Sequence, residues 1–223
     1  MKVSLQNYNS ISIPTYVINL PERQDRKKHI EKEFYGREEF DLRIVKAVKN
    51  SIGAIGLWKS IRRIIKETYI KGEDDVIIIC EDDHFFTKAY QRDHFLSQVI
   101  RASQLGTHIL YGGIHGFGNA VLVEEGLFWF DWNFGTQFLV VFRPAFKRIL
   151  DSRFSSNDVA DLFLSSHLPN KLVVFPFISK QKEFGYSDVT VANNQKGHMS
   201  FKTTRTEERL TKYLSIMKRY NIQ

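Results

Sequence analysis

The run Asp75-Val76-Ile77-Ile78-Ile79-Cys80-Glu81-Asp82-Asp83-His84 sets three adjacent carboxylates and an imidazole at the end of a short apolar stretch. Clustered carboxylates suit Mg²⁺ or Mn²⁺, which are commonly held by one or two acidic side chains together with the oxygens of a substrate phosphate. Five apolar residues bounded by charge read as a buried strand of an α/β sheet, and ligands of open α/β sheets collect at the carboxyl ends of strands. Side chains two apart on a strand share a face, so Glu81 and Asp83 point toward a common ligand while Asp82 points the other way. Glu81 and Asp83 are the candidate metal ligands. The neighbouring carboxylate is then placed to hold a ribose hydroxyl or a metal-bound water.

A second acidic cluster, Glu73-Asp74-Asp75, precedes the same strand. At about 3.3 Å per residue it lies roughly 20 Å from Asp83, so the two clusters cannot share an ion, and the first reads as a solvated turn. His84 and His94 are weaker candidates, because single histidines are more often packed or surface residues than ligands.

The segment Tyr16-Val17-Ile18-Asn19-Leu20-Pro21-Glu22-Arg23-Gln24-Asp25-Arg26 reads as a strand, a polar loop and a helix start. Its loop falls at the same end of the sheet as the acidic triplet. Asn19 is a candidate partner for a nucleobase, and Arg23 or Arg26 for a phosphate. The competing reading makes Asp25 and the arginines ion pairs at a helix start.

These residues need a frame. Ile13 to Leu20 is the first expected strand, Arg23 to Phe34 a helix, Leu42 to Val48 a second strand, and Ala54 to Tyr69 a helix with Leu57, Trp58, Ile61, Ile64 and Ile65 on its apolar face. Val76 to Cys80, a helix around Phe95 to Ile100, and a strand from Thr107 to Tyr111 complete a βαβαβαβ alternation, which argues for a mainly parallel sheet covered by helices. The stretch Leu127 to Gly135 is dense in aromatics and has the clean period of neither strand nor helix. It reads as core or as a stacking surface for an acceptor sugar. Further along, Gln137 to Phe142 reads as a strand and Pro144 to Leu150 as a helix opened by proline. Asn157 to Ser166 comes next as a helix capped by Asn157, then Lys171 to Phe177 as an edge strand. Thr204 to Tyr220 reads as a basic helix whose Leu210, Leu214 and Met217 pack on the sheet. The expected organisation is one domain over residues 1–203 and a basic C-terminal helix over 204–223.

The 223 residues suffice for one substantial core. A chain 43% hydrophobic and 26% charged is folded, not disordered. The single cysteine, Cys80, excludes a disulfide framework and reads as a small buried hydrophobe. No apolar run approaches the roughly 20 residues that span a bilayer, and a cytoplasmic residence is the expectation. The net charge of +7 suits nucleic acid, a nucleotide phosphate or an anionic membrane surface alike.

Four stretches, taken in order, resemble glycosyltransferase family 25, which includes lipooligosaccharide galactosyltransferases and procollagen galactosyltransferases. They are Val17-Ile18-Asn19-Leu20 with Arg23 and Asp25-Arg26; Gly53 and Gly56 followed by Glu81-Asp82-Asp83; Gly135-Thr136 before Gln137 to Leu150; and Asp158 and Asp161 with Pro176, Gln181 and Ser187-Asp188. The chain departs from the family pattern at Leu57 and Ser60-Ile61. The resemblance implies a GT-A type nucleotide-binding α/β sheet and an inverting transfer of a hexose, commonly galactose, from a UDP-sugar. The acceptor it implies is a cell-surface glycan or glycolipid such as lipooligosaccharide. It places Asn19, Leu20, Arg23, Arg26, Glu81, Asp82, Gly135, Thr136 and Asp188 at the donor, with Mn²⁺ or Mg²⁺ as the cation.

Inversion by direct displacement needs a carboxylate to take the acceptor proton. Asp161 and Asp158 are the candidates, with Asp161 preferred because Asp158, nearer the helix start, is made less basic by the dipole. Asp131 is held in reserve. Asp188 or His198 is a candidate to complete the metal or donor site. No nucleic-acid partner is expected, while the basic C-terminal helix is a candidate for peripheral contact with an anionic inner leaflet. Two other classes remain open at this point: a metal-dependent phosphodiesterase, and a noncatalytic glycan- or nucleotide-binding module on a transferase fold.

Overall fold

The computed structural model describes Tyr8, residues 10–185 and residues 197–220, apart from the side chain of His198. The acidic run is the central strand of the frame. In β3 (Val76–Glu81) the residues Ile77, Ile78, Ile79 and Cys80 are all buried, with Ile77 and Ile79 in the core on one face and Ile78 and Cys80 in the core on the other. A strand buried on both faces carries an unbroken apolar run.

Around it lie β1 (Ile13–Asn19), α1 (Gln24–Phe34), β2 (Phe40–Lys46), α2 (Gly53–Lys71), β4 (His84–Phe86), α3 (Arg92–Gln104), β5 (Ile109–Tyr111), β6 (Ala120–Glu124), β7 (Leu127–Phe130), β8 (Phe138–Phe142), α4 (Arg143–Asp151), α5 (Ala160–His167), β9 (Lys171–Val174), β10 (Ser179–Gln181) and α6 (His198–Arg219). Eight strands form one sheet in the order β2-β1-β3-β8-β5-β9-β7-β6, and β10 pairs with β4 in a separate ribbon. β1 runs parallel to β2 and β3, and β9 parallel to β5, whereas β8 and β7 run against their neighbours. Six of the eight strands therefore share one direction. The α2, α4, α5 and α6 side chains Ile61, Phe146, Leu164 and Leu210 belong to the core on one face, and Ile30 of α1 and Phe95 of α3 to the core on the other.

Helix boundaries follow local chemistry. α2 ends where Gly72 takes φ 75° and its N–H returns to the Thr68 carbonyl, a left-handed cap that glycine adopts without strain. α4 opens with Pro144 in its first turn.

Four expectations shift. β9 is an interior strand paired on both sides by β5 and β7, not an edge. Its Lys171 gives it the look of an edge, yet that side chain is buried with its ammonium 5.4 Å from the Trp129 ring centroid and 5.8 Å from that of Phe130. The aromatic stretch splits into β7 and a following loop. Leu127, Phe128 and Phe130 are buried, so both faces of β7 carry apolar residues and the period-two signal vanishes. α5 begins at Ala160 with Val159 at the cap, not at Asn157, because Asp158 turns back to accept the Ser155 N–H at 2.6 Å. α6 begins at His198, not Thr204, and Leu210 is fully buried beneath it.

Candidate active site

The carboxyl ends of β1, β2 and β3 open into a cavity of about 1100 Å³. β1 and β3 are in parallel register with Ile18 opposite Glu81, which brings the loop after each strand to the same rim. Glu81, Asp82 and Asp83 all line the cavity, and their environments differ.

Asp82 is consumed by the protein. One oxygen accepts the Asn19 amide at 2.8 Å and the other the Arg26 guanidinium at 2.9 Å. The same Arg26 nitrogen reaches Asp83 at 3.4 Å, and the guanidinium lies 5.0 Å from the Phe184 ring centroid. Asn19 and Arg26 are thus fastenings of the acidic triplet, since buried charge must find partners; Arg26 also lines the cavity, whereas Asn19 is not among the lining residues. Leu20 and Glu22 of the same loop line the cavity. Arg23 is at the α1 cap and is not among the lining residues.

Glu81 and Asp83 have fewer partners than Asp82. Glu81 accepts the Thr136 hydroxyl at 2.7 Å, and Asp83 accepts the Gln181 amide at 3.4 Å. Burial, with the charge of Asp83 beside it, pushes Glu81 up to about 8. Burial also raises Asp83 to about 6, against the pull of Arg26. Burial and the closeness of the two carboxylates disfavour ionising both at once. Among the described residues no group of three His, Cys, Asp or Glu side chains is arranged to hold a metal.

A further part of the lining comes from α5 and the loop before β8. Asp161 lines the cavity; one oxygen accepts the Gly135 N–H at 3.0 Å and the other the Leu162 N–H at 2.8 Å. Burial raises its pKa in spite of those bonds and the nearby charge of Lys202. Gly135 is obligatory here: its φ is +104°, and a Cβ would fall 2.5 Å from the His115 ring. Gly53 and Gly56 of α2 line the cavity too, and a Cβ on Gly56 would fall 2.6 Å from the Val48 carbonyl oxygen.

Asp158 stands apart. Its tie to Ser155 lies outside α5, so it shares no helix face with Asp161 and is not among the lining residues. Asp131 is a loop clasp, accepting from Gly118 N, Asn119 N, Asn119 Nδ2 and Trp132 N, and these donors lower its pKa. His84 is buried among Phe34, Phe86 and Phe138 with Nδ1 on the Ser179 hydroxyl at 2.7 Å, and His94 is exposed on α3. Asp188 and the side chain of His198 lie outside the described residues.

The structure adds residues that the sequence did not mark. Lys182, Phe184, Met199 and Lys202 line the cavity, together with Phe134 of the aromatic stretch that the sequence offered as a stacking surface. The first four carry no motif, because each comes from a loop or helix brought in by the fold.

No protein-family model matches the sequence, and no curated protein matches it. Solved structures do. The crystal structure of A197 from STIV superposes with a TM-score of 0.51 at 12% identity, over 78% of this chain and 86% of that one. That likeness is one of fold. Apo UDP-glucose pyrophosphorylase gives a TM-score of 0.46 at 9% identity, over 88% of this chain and 82% of that one. A glycosyltransferase involved in glycosylation of the major capsid of PBCV-1 gives 0.45 at 10% identity, over 73% and 81%. These two superpositions are looser and carry no functional inference. Among the described residues no helix is long and apolar enough to cross a membrane.

Proposed function

We propose that this chain is a GT-A type inverting glycosyltransferase of the family 25 kind, transferring a hexose, galactose by that resemblance, from a UDP-sugar to a cell-surface glycan or glycolipid. One observation carries the reading. A single cavity at the carboxyl ends of parallel strands joins a carboxylate pair whose ionisation is disfavoured, Glu81 and Asp83, to a further buried carboxylate, Asp161.

Glu81 and Asp83 would hold Mn²⁺ or Mg²⁺, with the donor diphosphate and water completing the shell. Bound there, the cation supplies electrostatic stabilisation of the departing diphosphate. Ile18, Leu20, Ala47, Val48 and Leu57 give an apolar wall beside the carboxylates that suits the face of a nucleobase. Asp161 receives the acceptor hydroxyl proton while the new bond to the anomeric carbon forms and the bond to the phosphate oxygen breaks, the electron pair leaving with UDP. Two backbone N–H groups orient it, and burial makes it more basic than an exposed carboxylate.

The test is UDP release from a panel of UDP-sugars in Mn²⁺ and in EDTA, with wild type beside Asp83→Ala. Cation-dependent release from one sugar, lost in the variant, supports the reading. Absence of UDP-sugar binding and turnover at every cation concentration overturns it and favours the phosphodiesterase or the binding module.

A further inference from the structure

α6 contributes a cation to the cavity from a position fixed along the whole helix. Lys202 lines the cavity in the first turns of α6, with its ammonium 5.5 Å from the centroid of Phe134, another lining residue. Among the described residues it forms no ion pair, whereas Lys49 at the rim is paired with Glu22 at 2.7 Å.

The next residue, Thr203, is buried and ties the helix to the floor of the site. His115 Nδ1 lies 2.6 Å from its hydroxyl, and that hydroxyl donates to the Met199 carbonyl at 2.9 Å. With the hydroxyl hydrogen given to Met199, His115 Nδ1 is the donor to Thr203, and burial holds the His115 pKa down to about 4. Farther along, Glu207 pairs with Lys180 at 2.7 Å, Arg209 donates to the Phe117 and Gly118 carbonyls, and Leu210 enters the core. A lysine on an unanchored helix would be an ordinary solvated charge. One whose neighbour is bolted to a buried histidine is delivered to a set place.

The charges around the cavity define what it meets there. Arg26 is engaged by Asp82 and Asp83, Lys49 by Glu22, and Lys182, which also lines the cavity, lies with its ammonium 4.9 Å from the Phe184 ring centroid. Among the described residues Lys202 makes no ion pair, and the carboxylate it influences is Asp161 of the same cavity, which leaves its ammonium open to a ligand in a site that also holds two carboxylates suited to a metal. A divalent cation on one side and an ammonium on the other bracket an anion of more than one charge.

We infer that Lys202 binds the diphosphate of the donor on the side away from the Glu81–Asp83 pair and holds it as the leaving group. The inference rests on the proposed transfer from a nucleoside-diphosphate sugar. His115 and Thr203 are positioning residues in this scheme, and Lys202 is the binding residue.

The experiment is calorimetric titration of wild type, Lys202→Gln, Lys202→Arg and the exposed charge control Lys218→Gln with UDP, UMP and uridine in Mn²⁺. For Lys202→Gln we expect UDP affinity to fall about ten- to hundredfold, the range of a charge-assisted hydrogen bond. Uridine affinity stays at the wild-type value, Lys202→Arg retains most of the UDP affinity, and Lys218→Gln changes nothing. Equal losses for UDP and uridine mark a folding or packing effect and overturn the inference. Unchanged UDP affinity together with a shifted pH–rate profile assigns Lys202 to neutralising Asp161 and overturns it too. Wild type that binds none of the three overturns the transferase reading itself, and the role of Lys202 falls with it.

Discussion

Glu81 and Asp161 are held by consecutive residues of one loop: the Thr136 hydroxyl donates to Glu81 at 2.7 Å, and the Gly135 N–H donates to Asp161 at 3.0 Å. Neighbouring Cα atoms are about 3.8 Å apart, so the putting in place of one carboxylate constrains the other. In the proposed reaction these are the groups facing the leaving phosphate and the incoming hydroxyl, and a two-residue span sets their separation.

Thr136→Val removes the donor to Glu81 and leaves the fold intact. A buried charged acceptor that loses a hydrogen bond costs about 1–3 kcal/mol. Because that cost falls on the ionised form, cation affinity should drop about tenfold or more at neutral pH. A Mn²⁺ titration followed by UDP-sugar turnover reads it, and an unchanged half-saturation would remove Thr136 from the site.

Gly135→Ala should be poorly tolerated. The residue sits at φ +104°, and the added methyl collides with His115. Strained backbone of this kind costs about 1–3 kcal/mol before any steric term, so the melting temperature should fall by several degrees. Because the Asp161 contact comes from the same peptide, transfer should fall further than the stability loss accounts for.

Acidic pH and cations should stabilise the same pair in different ways. Glu81 and Asp83 have folded pKa values of about 8 and about 6, above their ordinary unfolded values. Protonation therefore favours the folded state, and that contribution is fully present below about pH 4 and lost as pH rises through about 6 and then about 8. Several buried histidines titrate in the opposite sense, so the difference between proteins is the clean readout. In EDTA at pH 8, Asp83→Asn should melt above wild type, with the gap closing toward pH 5. Adding Mn²⁺ at pH 8 should raise the wild-type melting temperature and leave the variant unmoved. A wild type that already melts higher than the variant in EDTA would contradict the raised pKa values of the pair.

Asp161→Asn keeps the volume and removes the proton acceptor. Acceptor-dependent transfer should fall by about 10²- to 10⁴-fold while UDP affinity stays within a factor of about two. The corresponding change at Asp158, whose carboxylate closes a turn outside the cavity, should leave transfer within a factor of about three.

Much of the frame was legible because its signals are local. The isoleucine run of β3 announces a strand buried on both faces, and the carboxylates at its end announce a site. The elements that misled are those in which tertiary burial overrides pattern. Lys171 gives β9 the look of an edge until Trp129 and Phe130 are seen over its ammonium. Asn157 has the chemistry of a helix cap, but Asp158 bonds to Ser155 and delays the helix to Ala160. Of the cavity's carboxylates, Glu81 and Asp83 could be picked out from residue type and spacing, and Asp161 through the family resemblance and the inversion it implies. The partners that tune them could not. Arg26 and Asn19 reach Asp82 across the first crossover, and Lys202 arrives from the last helix, contacts that no short-range pattern encodes.

The lining of the cavity runs from Ile18 on the first strand to Lys202 on the last helix, and this bears on biosynthesis. Carboxylates of the middle of the chain are made before the lysine that shares their cavity. A nascent chain folding in order of synthesis passes through a stage in which the sheet has formed and the acidic end is open to water on the α6 side. On the proposed reading, the cationic side chain for the diphosphate joins the cavity only once α6 has been made and has docked.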